Sequence, residues 1–389
     1  MDQDAGLYLT AKQAAEELGI NLQTLYAYVS RKNLRSVKVD TSRSRLYWAS
    51  DIARLKAQRK SHKDNNINSA ITLLTDDAIY YRGIDVRELA PVATLENIAD
   101  LLWCSNATAA KSNINIPDWL IDYEIRISIH ERMDQAISTL PLIGSSNPSN
   151  FDFSPENYAF TGAAAIRAFV HILFHSDINN EKSIHEIIGD KIGCSDKNKD
   201  LIRQLLVLSA DHEIDHITHA VRAAASTGTN PYDLITVALL SGRGVRIKRL
   251  RIEATETFLM EIVRSGDISS LINRYLKNGE GLPGFNHISH SKHDPRAAFI
   301  LDSMMTIYND DIEFNRLFQL ISLAKKQNIG NPDFLLVAMF LNYKIGSSFH
   351  VLSILAIGRS VGWIAHGMEQ FHGGNFVRKR ANYVGELPK

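Results

Sequence analysis

What is scarce in these 389 residues narrows the field first. There are two cysteines, Cys104 and Cys194. Two are too few for a disulfide framework or a metal cluster, so both are expected to be buried thiols in a reducing compartment, with no metal site. Net charge is absent, because 43 Lys and Arg balance 43 Asp and Glu; this removes any global attraction to nucleic acid or an anionic membrane. No apolar run is read as approaching the ~20 residues of a bilayer-spanning helix. The opening Met-Asp-Gln-Asp-Ala-Gly lacks the apolar stretch of a signal peptide. A cytoplasmic protein without membrane contact is therefore expected. Alternating strand patterns are sparse beyond residue 70, and there is no internal repeat. One absence is local: no histidine lies between His219 and His287. What is present, 45% hydrophobic residues in a chain of this length, predicts two or three folded domains.

The charge balance hides an asymmetry. Residues 1–64 contain twelve Lys and Arg against seven Asp and Glu, a net of +5 that leaves the rest at −5. Within this basic head, Thr10-Ala-Lys-Gln13 has capping-box form, and Gly19 stops the short helix Ala11–Leu18 that follows. Asn21 can cap a second helix, Leu22 to about Lys32, with Leu25 and Val29 facing inward. Two helices joined by a short glycine-containing turn form a helix-turn-helix. Val37–Val39 and Arg45–Tyr47 then bracket a polar, basic tip and predict a hairpin; Ser50 caps a third helix, Asp51 to about Arg59. The pattern resembles the winged helix-turn-helix of MerR and excisionase proteins. On helix two, Gln23, Tyr26, Tyr28, Arg31 and Lys32 are available to face DNA. Arg31, Lys32, Arg43 and Arg45 would contact phosphates, which position a protein without reading sequence. The alternative is an interaction module whose charges are solvated. Residues 61–69, polar and aperiodic, read as a linker.

From Ala70 onward helical periodicity dominates, as in Leu95–Trp103, Tyr123–Ser138, Tyr158–His175, Ile202–Leu208 and Phe349–Phe371. Several short motifs follow in order: Tyr80-Tyr-Arg-Gly-Ile-Asp, Asp211-His212-Glu213, Gly284-Phe-Asn-His287, Asp294-Pro-Arg296, Asn331-Pro-Asp-Phe334, Ile357-Gly-Arg359, the run to His366, and Arg380-Ala-Asn-Tyr-Val-Gly385. Together they resemble the citrate synthase family over nearly all of residues 70–389. The resemblance implies an all-α fold with a large domain, a small domain that closes over substrate, and a homodimer. Mainly α is thus the expected class: a winged helix-turn-helix domain at 1–60, a linker at 61–69, a citrate synthase-like large domain at 70–243 and 345–389, and a small domain at 244–344.

Citrate synthases join acetyl-CoA to oxaloacetate. A carboxylate removes a methyl proton, donors stabilise the enolate oxygen and polarise the ketone, and arginines hold the carboxylates. By motif, Asp333 resembles the base and His287 the ketone-polarising histidine. His212, Arg296 and Arg359 resemble oxaloacetate ligands, and Arg380 the arginine donated across the dimer interface. On their own residues each has another reading: His287 is one of several loop histidines, Arg359 an interdomain ion pair, Asp333 a helix cap.

The acetyl-CoA side departs from the pattern. A second histidine is expected in a Gly-Pro-Leu-His-Gly-Gly segment, near Val245 or Ile247, and neither residue has a side-chain donor. Arg246, Ile247 and Lys248 replace the glycines that admit CoA, and Asn286 stands where a small residue is usual. The basic run Arg243, Arg246, Lys248, Arg249 and Arg251 reads as a solvated helix face over the apolar stripe Ile247, Leu250, Ala254 and Leu259; a phosphate or nucleic-acid patch is the alternative. His216 and His219 are poor substitutes, because they would leave a different helix. The expected protein binds oxaloacetate or a citrate-like carboxylate, condenses acetyl-CoA weakly or not at all, and couples ligand to DNA binding. A working acyltransferase or lyase with a rearranged site is the alternative, and a non-catalytic subunit beside a complete paralogue is a third. No cofactor is held permanently, and a CoA thioester, acetyl-CoA, is the candidate co-substrate.

Overall fold

The computed structural model describes residues 8–20, 22, 25, 36–38, 45–49, 52, 67–106, 129–176, 182–286, 293–346, 350–374, 376–377 and 385. The chain divides into two compact units, Met1–Asn68 and Ser69–Lys389.

In the first unit, β1 (Tyr8–Thr10) leads into α1 (Ala11–Leu18), and β2 (Ser36–Lys38) and β3 (Arg45–Trp48) follow. The capping box at Thr10 is formed: its hydroxyl accepts from the Gln13 amide at 3.3 Å, and the Gln13 side chain accepts from the Thr10 amide at 3.0 Å. Gly19 ends the helix in the left-handed region at φ 60°. The hairpin pairs Val37 with Leu46 and Lys38 with Arg45, one residue earlier on its first strand than the pattern suggests. The third strand, β1, is not legible in the sequence; it pairs with β3, and Tyr8 meets Trp48 edge-on at 5.2 Å. Ala14, Ala15, Leu18, Leu25, Tyr47 and Ile52 form this unit's core. The candidate DNA-facing residues Gln23, Tyr26, Tyr28, Arg31, Lys32 and Arg43 lie outside the described residues, as do linker positions 61–66.

The second unit begins with a small antiparallel sheet, β4 (Thr72–Leu74), β5 (Ile79–Tyr81) and β6 (Ile84–Asp85), and is helical thereafter. Its helices are α2 (Val86–Leu89), α3 (Leu95–Trp103), α4 (Ile129–Ser146), α5 (Pro155–Phe174), α6 (Ile184–Ile192), α7 (Asp196–Ser209), α8 (His216–Ala225), α9 (Pro231–Gly242), α10 (Ala254–Arg264), α11 (Ile268–Lys277), α12 (Pro295–Tyr308), α13 (Ile312–Lys326), α14 (Phe334–Ile345) and α15 (Val351–His372). Most starts carry a short polar cap whose oxygen takes an orphan amide, including Thr94, Ser195, Asp215, Asn230, Asp294 and Asp333.

Helix α15 is central and packs against α3, α5, α7, α8 and α9. At 22 residues it is long and apolar enough to cross a membrane, which corrects the expectation that no run comes near that length. It is apolar because neighbours cover it on most sides: Ile354, Ile357, Val361 and Ile364 are fully buried. Glycine sets its approach to α7. A Cβ on Gly358 would sit 2.0 Å from the Ser209 hydroxyl, and one on Gly362 would sit 2.4 Å from the Ala210 carbonyl. Cys104 is exposed and Cys194 only partly covered, contrary to the two buried thiols expected. Cys104 is the left-handed C-cap of α3, where that helix ends at the surface.

Candidate functional site

Three aspartate–arginine pairs organise the site. The first is built into one helix start. Asp294 caps α12 by accepting from the Arg296 amide at 3.1 Å, and the same carboxylate grips the Arg296 guanidinium in a fork, 3.0 Å to Nε and 2.7 Å to Nη2. Pro295 between them presets the first helical turn. Both side chains are buried. Burial works against the Arg296 charge, but Asp294, with Tyr81 and Asp333 adding smaller contributions, raises its pKa. The guanidinium stacks 4.7 Å over the ring of Phe334. Since Phe334 opens α14, this contact ties the N-terminus of α12 to that of α14.

The second pair lies at that second N-terminus. Asp333 caps α14 through the Leu336 amide at 3.0 Å, and its other oxygen faces the Arg251 guanidinium at 3.4 Å. The backbone behind it is held by the segment that leads into His287. Asp333 N–H donates to Gly284 at 2.8 Å, Phe285 bridges to Pro332, and Asn286 N–H donates to Asn331 at 3.0 Å. Asn286, at φ 56°, staples the opposite loop with its side chain, donating to the Ile329 carbonyl at 2.7 Å and accepting from the Asn331 amide at 3.3 Å. That contact explains the unusual residue here. It also explains Gly330, whose Cβ would fall 1.8 Å from the Asn286 side-chain oxygen.

The third pair contains the most buried of the three aspartates. Arg359, midway along α15, lies 2.9 Å from Asp211; its Nη2 also donates to the Glu213 carbonyl at 3.0 Å and the Thr218 hydroxyl at 3.1 Å. Asp211 is fully buried and accepts from His366 Nε2 at 3.2 Å. On the far side of the ring, Arg222 donates to Nδ1 at 3.1 Å. Arginine can only donate, so Nδ1 must accept and Nε2 must carry the proton given to Asp211. Arg222 is itself held by Glu369 at 2.6 Å and Gln370 at 3.0 Å, and Glu369 accepts from the Ala70 amide at 2.7 Å. Burial would push Asp211 upward, but the Arg359 charge, followed by His366 and a Thr72 hydrogen bond, holds it at about 2.

Tyr81 joins the two halves. Its hydroxyl accepts from the Asp211 amide at 3.0 Å, and burial pushes its pKa up while both Arg296 and Arg359 act on it electrostatically. His212 lies half-buried in the same loop, between Asp211 and a Glu213 with φ 60°. Of the expected site residues, Arg296 and Arg359 both act on Tyr81, Asp333 acts on Arg296, and His212 follows Asp211 in the chain. His287 and Arg380 lie outside the described residues.

Sequence reasoning placed Arg251 in the basic run but missed its contact with Asp333, and the fold shows why. After the turn Val245–Ile247, residues Lys248–Glu253 form a π-helical stretch before α10. The wider turn breaks the expected apolar stripe: Leu250 is 78% exposed, while Ile252 packs on the core. It also brings Arg251 within 3.4 Å of Asp333, while the arginine side chain stays 47% exposed, as expected of a solvated face. Arg243, from the same basic run, pairs with Asp134 at 2.9 Å. Val245 is 64% exposed. His216 and His219 are in α8, a separate helix as expected. Among the described residues, no group of three or more His, Cys, Asp or Glu side chains is placed to hold a metal ion.

Residues 63–380 match the family described as citrate synthase, C-terminal domain, and residues 9–72 match the MerR HTH family regulatory proteins. The chain is 24% identical over 348 residues to the 2-methylcitrate synthase of Shewanella oneidensis, covering 81% of this chain and 91% of that one. It is 23% identical over 356 residues to citrate synthase 2 of Bacillus subtilis, covering 82% and 93%. Among solved structures, it resembles the citrate synthase of Pyrobaculum aerophilum with a TM-score of 0.70 at 17% identity, over 91% of this chain and 96% of that one. It also resembles that of Thermoplasma acidophilum in a ternary complex with carboxymethyl coenzyme A and oxaloacetate, with a TM-score of 0.66 at 20% identity, over 85% and 97%.

Proposed function

Because this chain belongs to the citrate synthase family and carries a MerR-type helix-turn-helix domain at its N-terminus, we propose that it is a carboxylate-binding regulator in which the family's condensation reaction is weak or absent. Its ligand is oxaloacetate, citrate or a close relative. Arg296 and Arg359 hold the carboxylates, His212 and His287 hold the keto or hydroxyl oxygen, and Arg380 is contributed by the second subunit of a homodimer. Residues 244–344 form the small domain that closes on the ligand. The head binds DNA through Gln23, Tyr26, Arg31, Lys32, Arg43 and Arg45, and the protein works in the cytoplasm.

One observation carries the silent reading. The carboxylate of Asp333, which matches the family's base, is engaged at both oxygens, one by the Leu336 amide and one by Arg251. Proton abstraction needs an oxygen directed at the acetyl methyl, whereas both oxygens of Asp333 already face donors. The exposed, donor-less Val245 adds to this, since loss of one oxyanion donor costs on the order of 10²–10³ in rate. The relatives' names, citrate and 2-methylcitrate synthases, support the carboxylate part of the reading.

The test has two arms. Calorimetry should detect binding of oxaloacetate or citrate, while the assay of free CoA release from acetyl-CoA and oxaloacetate stays near background. A robust release rate that disappears in Asp333→Ala would establish a working acyltransferase instead.

A further inference from the structure

Resting on the reading of the pocket as a carboxylate site, we propose that Arg251 anchors a third carboxylate, so that the site selects tricarboxylates over dicarboxylates. The three arginines of the site are held differently. Arg296 and Arg359 are 8% and 11% exposed and sit in tight, short contacts with buried aspartates. They are prepositioned and have little freedom to move. Arg251 is 47% exposed, and its contact with Asp333, at 3.4 Å, is longer than the roughly 2.7–2.9 Å of a well-formed charged hydrogen bond. A guanidinium has five N–H donors in a planar fork, suited to receive a carboxylate at two points. Of the three, Arg251 is the one exposed enough to receive a ligand group while it still faces Asp333.

Its position fits that role. Asp333 acts electrostatically on Arg296 and faces Arg251 at 3.4 Å, so the two arginines share one carboxylate neighbour. A dicarboxylate spanning Arg296 and Arg359 brings nothing to Arg251. A molecule with a further short carboxymethyl arm brings a second anion up to Asp333. Without a cation there, the two carboxylates would repel; with Arg251 between them, the arm gains a charged bidentate partner. A thioester carbonyl is neutral and gains far less from a guanidinium. The π-helical stretch at Lys248–Glu253 gives Arg251 its aim, and such interruptions of an α-helix cluster at functional sites.

Calorimetry on the full chain decides this, with citrate, malate and free CoA titrated separately into the native protein, Arg251→Gln and Arg251→Lys. The native chain should bind citrate at least ~10-fold more tightly than malate. Arg251→Gln should weaken citrate by ~10- to 100-fold, the scale of a lost charged hydrogen bond, and leave malate within about twofold. Arg251→Lys should recover part of the loss, and both variants should melt like the native protein. Equal native affinity for both acids overturns the proposal. So does a parallel loss of both acids in Arg251→Gln, which would make Arg251 a latch on Asp333, or a loss confined to CoA, which would make it a phosphate contact. Failure of the native chain to bind either acid removes the carboxylate-pocket reading itself, and this inference with it.

Discussion

Asp211 is fully buried against Arg359 and His366. Its pKa near 2 is depressed from an ordinary 3.8, so its ionised form contributes on the order of 2 kcal/mol to folding. That contribution is complete above pH 4 and is lost as pH falls through about 2. The native chain should therefore lose stability across that acid window in a urea titration, and Asp211→Asn should flatten the loss. At neutral pH the same variant should be destabilised by roughly 3–5 kcal/mol, because Arg359 is left buried without its counter-ion. Glycines allow a second test at this scale. Gly362→Ala places a Cβ 2.3 Å from Asp211 and 2.4 Å from a backbone carbonyl, whereas Gly244→Ala meets nothing within 4 Å. Thermal melting should show a loss of several kcal/mol for the first and a change within about 0.5 kcal/mol for the second. His212, Arg296, Arg359 and Asp333 could be singled out because each lies in a short, ordered motif, whereas Asp211 was read only as part of one. The roles of Arg251 and His366 could not be read, because they depend on partners 82 and 155 residues away.

At the scale of elements, caps and long helices could be read directly. Thr10, Gly19 and the helix at Leu95–Trp103 follow from local chemistry alone. The three-residue strands β1 and β4 could not, since so short a segment has no period and exists only through its partner. The π-helical stretch was equally hidden, because periodicity assumes one uniform turn. For the wing, the described β3 begins at Arg45, opposite Lys38. If this hairpin lies along a DNA backbone, Arg43→Ala with Arg45→Ala should weaken binding to all sequences. A salt titration should then give a log–log slope flatter by about two, one for each arginine that no longer neutralises a phosphate.

For the whole molecule, a two-fold dimer would carry two basic heads and favour inverted half-sites. Coupling between body and head must be reciprocal. If citrate shifts the gel-shift midpoint for a DNA fragment by some factor, that fragment must shift citrate affinity by the same factor. No shift in either measurement would show that the two activities are independent.

The tie between Glu369 and the Ala70 amide has a mechanical consequence. Arg359 and Glu369 are ten residues apart on α15, about 15 Å of one hydrogen-bonded rod. Such a rod resists compression, so a push on it at Arg359 reaches Glu369 almost undiminished. Glu369 in turn holds the chain two residues past the end of the first unit. The helix that carries Arg359 therefore also moors the chain where it emerges from the body. Hydrogen exchange at the Ala70 amide should change when the acid binds, and an unchanged rate there would mean that the mooring carries no load.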